Sequence, residues 1–250
     1  MILEALEYLT TPCPTWARRL GYLSEAIAIR HRSRRCAAAW ADHQRNTRTA
    51  ILDTLPENCG TAVILGAGQC LDVPLDALSD RCARVVLIDA VRLRGLSLPA
   101  NAEYRLMDVQ GAAEKLFRGQ SLWERPQSAL QAFEDADYVV SVNLISQLPI
   151  LPLRAIARRN LSTPIFEHGV SGQIMRDHVR DLKALPGKAV VIGDARRTHR
   201  NRKGDIVDAE NLAAQALLPA PERHWTWPVA PVGERQDGLS TETIVGVWVV

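Results

Sequence analysis

Three short stretches carry the residues best suited to chemistry. In the first, the apolar run Thr61–Leu65 leads into Gly66-Ala67-Gly68, and a helix is expected to open near Asp72-Val73-Pro74. Asp72 has the side chain of an N-cap, and Pro74 suits a first helical turn. Glycines permit positive φ and let a ligand approach the backbone closely. The helix start beyond them offers free N–H groups and the positive end of a dipole. A nucleotide-type ligand is the usual tenant of such a turn, although a tight turn that binds nothing reads the same way. In the second stretch, Arg84–Ile88 ends at Asp89, 21 residues after Gly68. An acid there can accept both hydroxyls of a ribose. A solvated strand end or a helix cap would use the same residue. In the third, Glu103–Met107 ends at Asp108. In a simple parallel sheet these three ends share one rim, where they fit an adenosine ligand with its base beside the third strand.

The elements that would hold these residues are legible from periodicity. Residues 1–57 read as helical: Trp16, Leu20, Leu23 and Ile27 recur at helical spacing, and Ala37, Trp40, Gln44, Thr47, Ile51 and Leu55 form a second, weaker stripe. Pro56 ends it. From residue 60, short apolar runs alternate with helical stretches. The runs are Ala62–Leu65, Arg84–Ile88, Glu103–Met107, Tyr138–Val142 and Lys188–Ile192. Helices are expected over Leu71–Leu78, Ala112–Phe117, Ala129–Phe133, Leu151–Asn160 and Gly172–Leu185. Runs this poor in polar residues fit parallel strands buried on both faces. The two last strands, Glu222–Pro228 and Thr243–Val250, have no helix between them and predict an antiparallel pair. The expected fold is therefore α/β: a doubly wound, mostly parallel, seven-stranded Rossmann-like sheet with a terminal antiparallel pair. A helical N-terminal cap (1–57) precedes the α/β domain (58–250).

Composition excludes several classes. Hydrophobic residues are 47% and charged residues 23% of the 250, which is globular rather than disordered. A net charge of +2 gives no global case for nucleic acid or a membrane surface. Cys13, Cys36, Cys59, Cys70 and Cys82 form no CxxC pair, so neither a disulfide framework nor a metal site is expected. Glu4 and Glu7 stand where a signal peptide would be basic and then apolar, and no apolar run reaches the roughly 20 residues of a membrane helix. The expectation is a soluble cytoplasmic protein.

In this order, residues 60–250 resemble a class I S-adenosylmethionine-dependent methyltransferase. Residues 61–78 resemble that superfamily's first motif, which implies that Gly66, Ala67 and Gly68 lie near the methionine part of the cofactor. Asp89 matches the acid that binds the ribose hydroxyls. Asp108 matches the acid at the adenine amino group, with the Val109 backbone nearby. Tyr138–Leu148 resembles the fourth strand and its exit, Leu182–Asp194 the glycine turn into the fifth strand, and the closing strands the family's antiparallel pair. Two positions depart from the pattern. Cys70 replaces a third glycine, which is unstrained if φ there is negative. Ile64 stands where an acid two before the first glycine is common.

The resemblance implies S-adenosylmethionine as cofactor and methyl transfer to a small-molecule or peptide-like acceptor. Such a displacement needs positioning, exclusion of water and, for some acceptors, a general base. Asn143, at the end of the fourth strand, is the candidate for lining the methyl site, and a buried Asn satisfying backbone groups is the equal alternative. His168 is a candidate base and Asp194 a candidate beside the substrate or paired with Arg196 or Arg197. His178 reads as a packing or surface residue. Two basic clusters, Arg30–Arg35 in the helical N-terminal part and Arg196–Lys203 in a loop beyond the fifth strand, border the pocket in this reading. Arg196, Arg197 and His199 are candidates for an anionic acceptor, although charge runs are usually solvated. Trp225 and Trp227 share one strand face, as core packing or as a substrate wall. The SVNL sequence of the fourth strand disfavours base methylation, and nucleic acid with it. A protein partner or homodimer stays open. Two rivals remain: a non-catalytic methyltransferase-like scaffold or partner subunit, which Ile64 and Cys70 favour, and an NAD-dependent oxidoreductase, which Asp108 and the terminal pair disfavour.

Overall fold

Residues 2–120, 128–158 and 163–250 are described by a computed structural model. The first apolar stripe is interrupted by Gly21. At φ 98° it takes the left-handed conformation and donates its N–H to the carbonyls of Ala17 and Arg18, which stops one helix and starts another. Helices α1 (Ile2–Thr10), α2 (Thr15–Leu20), α3 (Tyr22–Arg35) and α4 (Ala37–Thr54) therefore occupy the segment expected to be helical.

Strands β1 (Cys59–Leu65), β2 (Cys82–Asp89), β3 (Ala102–Leu106), β4 (Tyr138–Val142) and β5 (Lys188–Arg200) are mutually parallel in the order 3-2-1-4-5. Beyond β5 lie β8 (Ser240–Val249) and then β7 (Arg223–Ala230), both antiparallel to their neighbours. An eighth strand, β6 (Ile206–Asn211), pairs with the far half of β5. The seven-strand expectation misses it because β5 runs to Arg200, eight residues past Ile192. Arg196–Arg200, expected in a loop, is a strand segment paired with β6 on one side and β8 on the other.

Period-two alternation divides the buried strand residues between two layers. Ala62, Ile64, Val85, Leu87, Val140, Val190 and Ile192 face α4 and α5 (Leu75–Arg81). Val63, Leu65, Val86, Ile88, Val139, Ala189 and Val191 face a 3-10 helix (Ala129–Phe133), α8 (Pro164–Lys183) and α9 (Leu212–Gln215). Each fully buried Val, Leu or Ile among them contributes about 1.5–3 kcal/mol. Helix α6 (Ala112–Phe117) follows β3 as expected, and α7 (Ile150–Ala157) follows β4. Residues 159 and 160 of the helix expected there lie outside the described residues. Helices α2 and α3 pack Ala17, Leu23 and Ile27 against Val91 and Leu93, just past β2, and so reach the carboxyl edge of the sheet. No helix among the described residues is long and apolar enough to cross a membrane.

One core polar pair carries a pH signature. His178 on α8 is fully buried, with Nε2 2.8 Å from Ser141 Oγ on β4. Burial pulls its pKa down to about 4 from 6.5. The unfolded chain then binds a proton between these values and the folded chain does not, so stability is full above pH 6.5 and declines as pH falls toward 4. The loss is on the order of 3 kcal/mol. His178→Gln should flatten that part of the pH–stability curve. A denaturant series from pH 7 to 4 that keeps the slope in the variant would refute the assignment.

Candidate functional site

The chain leaves β1 toward β2 on one side, and β4 lies on the other. Such a reversal opens a crevice at the carboxyl ends of the strands. A cavity of about 520 Å³ occupies it. Gly66 and Gly68 after β1, Asp89 of β2, Asp108 and Val109 after β3, Asn143 after β4, and Asp194, Arg197 and His199 of β5 all line it.

The two glycines of the first turn do different work. The N–H groups of Gly66 and Ala67 both donate to the Ile88 carbonyl, at 2.9 and 3.1 Å, tying the turn to β2. Gly66 has φ +78°, and a Cβ there would lie 2.6 Å from the Val142 carbonyl oxygen. Gly68 has φ +50°, and a Cβ would meet nothing closer than Asp89 Oδ2 at 3.9 Å. Its open side belongs to the cavity wall, whereas Ala67 is buried and lies outside that wall. Cys70 has φ +54°, not the negative value that would spare a side chain strain. Burial, with Asp72 and Asp89 adding to it, pushes its thiol up to about 12, so it stays protonated near neutral pH.

Asp89 holds this turn together. Its Oδ2 accepts the Gly68 N–H at 2.9 Å, and its Oδ1 accepts the Ala90 N–H at 2.7 Å. Tyr104 Oη donates to the carbonyls of Gly68 and Val91. Asp108 accepts the Glu114 N–H at 2.9 Å and the Gln110 N–H at 3.3 Å, so it anchors the start of α6. Burial raises the pKa of both carboxyls, and their backbone donors oppose the rise. Tyr22, at the start of α3, lines this end of the cavity. Burial raises its phenol, and Asp108 and Asp89 raise it further. Arg30 of the same helix donates to Gln69 at 2.6 Å and also reaches Glu7 and the Arg94 carbonyl. It thereby fastens the helical segment to the glycine turn.

The β4 end brings together residues far apart in sequence. Asn143 has φ +49°, a conformation Asn tolerates better than most residues, and its N–H donates to Ile192 at 2.7 Å. Its Nδ2 lies 2.5 Å from Asp72 Oδ2 and 3.0 Å from His43 Nε2. Trp225 Nε1 donates to His43 Nδ1 at 3.1 Å. Trp227 stacks on the His43 ring with centroids 3.8 Å apart, and Trp40 meets Trp227 edge-on. Asp72 is therefore not an N-cap. Helix α5 begins only at Leu75, with Pro74 in the capping position.

At the β5 end, Asp194 Oδ2 accepts from Ser146 at 2.9 Å and from Arg197 at 2.6 Å. A bulge between Asp194 and Arg196 explains why Arg197 is the partner. The extra residue shifts the side-chain alternation by one, so Asp194, Arg197 and His199 line the cavity while Arg196 is exposed outside it. His199 Nδ1 is 2.9 Å from Thr241 Oγ1, and Arg235 donates to the same oxygen at 2.9 Å. Arg32 and Arg35 pair with Glu234, so part of the first basic cluster meets the β7–β8 connection, while Arg34 and Arg35 stay exposed.

The structure does not bring His168 to the cavity: it is exposed on α8, and the helix begins before it at Pro164 rather than after it. His43, Asp72, Tyr22 and Arg235 line the cavity but do not emerge from sequence reasoning. His43 falls between Trp40 and Thr47 of the weak α4 stripe, at helical spacing from both, and that spacing is its signal in the sequence. Asp72 has the sequence context of a helix cap, and only the structure turns its carboxylate to Asn143.

No protein-family model matches the sequence, and no curated protein matches it significantly. Among solved structures, the methyltransferase domain of bacterial CtHen1-CN aligns with 13% identity and a TM-score of 0.34. The alignment covers 84% of this chain and 99% of that one. A likeness this distant decides neither substrate nor chemistry.

Proposed function

We propose that the cavity binds S-adenosylmethionine and that the chain transfers the methyl group to a small-molecule or peptide-like acceptor. The observation that carries this reading is convergence: Gly68, Asp89 and Asp108, from three successive strand ends, line one cavity together with Tyr22 of α3. Its volume of about 520 Å³ falls within the roughly 300–1,000 Å³ common for cofactor sites.

The residues present fit the cofactor. A Cβ added at Gly68 would meet only Asp89 Oδ2, at 3.9 Å, so a ligand can approach that backbone. Asp89 and Asp108 each give their oxygens one or two backbone N–H groups and keep lone pairs for a ribose diol and an adenine amino group. Gly66 and Gly68 would border the methionine part, with Val109 beside the base. When bound, S-adenosylmethionine supplies an electrophilic methyl group on a sulfonium. Asn143 would line the methyl site, and Tyr22 and Arg30 would keep water out. Arg197, His199 and Arg235 border the other end, where an acceptor with an anionic group would lie. The sheet continues past β5 as an antiparallel pair, and a third-strand acid faces the cavity. Both features favour this reading over a nicotinamide-dependent oxidoreductase.

Thermal shift with S-adenosylmethionine, S-adenosylhomocysteine, NAD and NADP tests it. A ligand at 100 times its Kd adds about 2.7 kcal/mol, a rise of roughly 5–10 °C in a chain this size. Stabilisation by the two adenosyl ligands alone is expected. A response to nicotinamide ligands alone, or to none of the four, overturns it.

A further inference from the structure

The contacts around Asn143 contain a conflict that a proton resolves. Trp225 donates its indole N–H to His43 Nδ1 at 3.1 Å, which leaves Nε2 as the nitrogen that carries the hydrogen in the neutral ring. Nε2 lies 3.0 Å from Asn143 Nδ2, so two N–H donors face each other. Nδ2 meanwhile donates to Asp72 Oδ2 at 2.5 Å, and Asn143 Oδ1 is buried with no donor near it. Turning the amide by 180° places an oxygen 3.0 Å from the His43 N–H, which is a sound hydrogen bond. The same oxygen then faces Asp72 Oδ2 at 2.5 Å, which is favourable only if Asp72 bears a proton.

We propose that Asp72 is a proton-accepting residue in the cavity wall, that Asn143 turns its amide when Asp72 is protonated, and that the bound acceptor therefore presents an O–H or N–H group. The inference rests on the methyl-transfer reading for the word acceptor, but the proton site stands on its own contacts. Only a proton moves in the step: it leaves the acceptor's oxygen or nitrogen and ends on Asp72, and the electron pair stays on the acceptor atom. Asn143 then accepts from both Asp72 and His43. His43 acts through Asn143 and is a positioning residue, held by Trp225 and by stacking on Trp227.

The ionisable and charged groups around Asp72 come from α4 and from its own turn, and the neutral amide of Asn143 completes its surroundings. His43 lies on α4 with Nε2 3.8 Å from Asp72 Oδ2. Arg48, on the same helix, donates to the Leu71 carbonyl beside Asp72. Cys70 sits in the same turn, and its thiol stays protonated near neutral pH. Asn143 follows β4. Of the ionisable groups here, His43 and Asp72 border the cavity; both ring nitrogens of His43 are engaged, Nδ1 by Trp225 and Nε2 beside Asn143, which leaves the Asp72 carboxylate as the acceptor for a ligand's proton.

The experiment uses ¹⁵N-labelled full-length protein, with phenol as an O–H probe and anisole as its proton-less match. His43 is expected to show a hydrogen on Nε2 and none on Nδ1. Phenol should shift the His43 Nε2–H and Asn143 side-chain amide signals together, and anisole should not. Asp72→Asn, which mimics the protonated carboxyl in shape and charge, should weaken phenol binding roughly ten-fold or more with the fold intact. Three results would overturn the proposal: a hydrogen on His43 Nδ1, equal responses to phenol and anisole, or unchanged phenol binding in the variant. The tautomer is read in the unsubstituted chain, so a variant that fails to fold does not shield the idea. S-adenosylhomocysteine binding is measured in parallel. Its failure removes the cofactor reading, while the phenol and tautomer results still judge the proton site.

Discussion

Asp89→Ala should abolish the thermal response to S-adenosylhomocysteine and lower the melting temperature of the ligand-free protein as well. The first effect follows from its place on the cavity wall, where its carboxylate is the candidate acceptor for a ribose diol. Losing a ligand present at 100 times its Kd removes about 2.7 kcal/mol of stabilisation. The second effect is a structural finding that the sequence does not give. The same carboxylate accepts the N–H groups of Gly68 and Ala90, at 2.9 and 2.7 Å. With the longer Val91 N–H contact at 3.5 Å, removing it leaves three part-buried donors without this acceptor, and the two short bonds alone cost about 1–3 kcal/mol each. The variant must therefore be compared at a temperature where it is still folded. Asp89→Asn gives the cleaner contrast, because one amide oxygen still accepts a backbone N–H while the charge is lost. Undiminished adenosyl binding in a folded Asp89→Asn protein would remove the ribose assignment.

The turn glycines should separate fold from binding. Gly66→Ala places a Cβ 2.6 Å from the Val142 carbonyl oxygen, at φ +78°. Backbone cannot yield cheaply there, and the left-handed conformation adds about 1–2 kcal/mol of its own. Overpacking of this kind costs a further 1–3 kcal/mol or so, so a melting temperature lower by about ten degrees is expected. Gly68→Ala pays the conformational cost at φ +50° but meets no atom closer than 3.9 Å. Its methyl group occupies the side from which a ligand would approach. The expected result is a mildly destabilised protein whose response to S-adenosylhomocysteine is lost. Calorimetry on both variants reads the two effects separately. Normal ligand response in Gly68→Ala would show that nothing approaches that backbone.

These two residues also mark how far a sequence carries. Gly66 and Gly68 are adjacent members of one motif, and nothing in their order distinguishes the packing glycine from the cavity glycine. That difference arises because β4 passes beside the first and not the second. Asp72 makes the same point. By sequence it precedes a proline at the expected start of a helix, and capping is the local expectation. The helix opens later, at Leu75, and the carboxylate turns to Asn143, 71 residues away.

The alternation of strands and helices, the placement of Gly66, Gly68, Asp89 and Asp108 at strand ends, and the antiparallel closure are all legible in the amino-acid order. Those features depend on local periodicity and turn chemistry, which short windows record. Tertiary structure alone decided which side chains meet. The β5 bulge turned Arg197 rather than Arg196 toward Asp194, and the extension of β5 made a paired strand of an expected loop. The packing of α4 against β7 brought His43 between Trp225, Trp227 and Asn143. Contacts of this kind are set by register and by the approach of distant elements, and no local pattern along the chain encodes them.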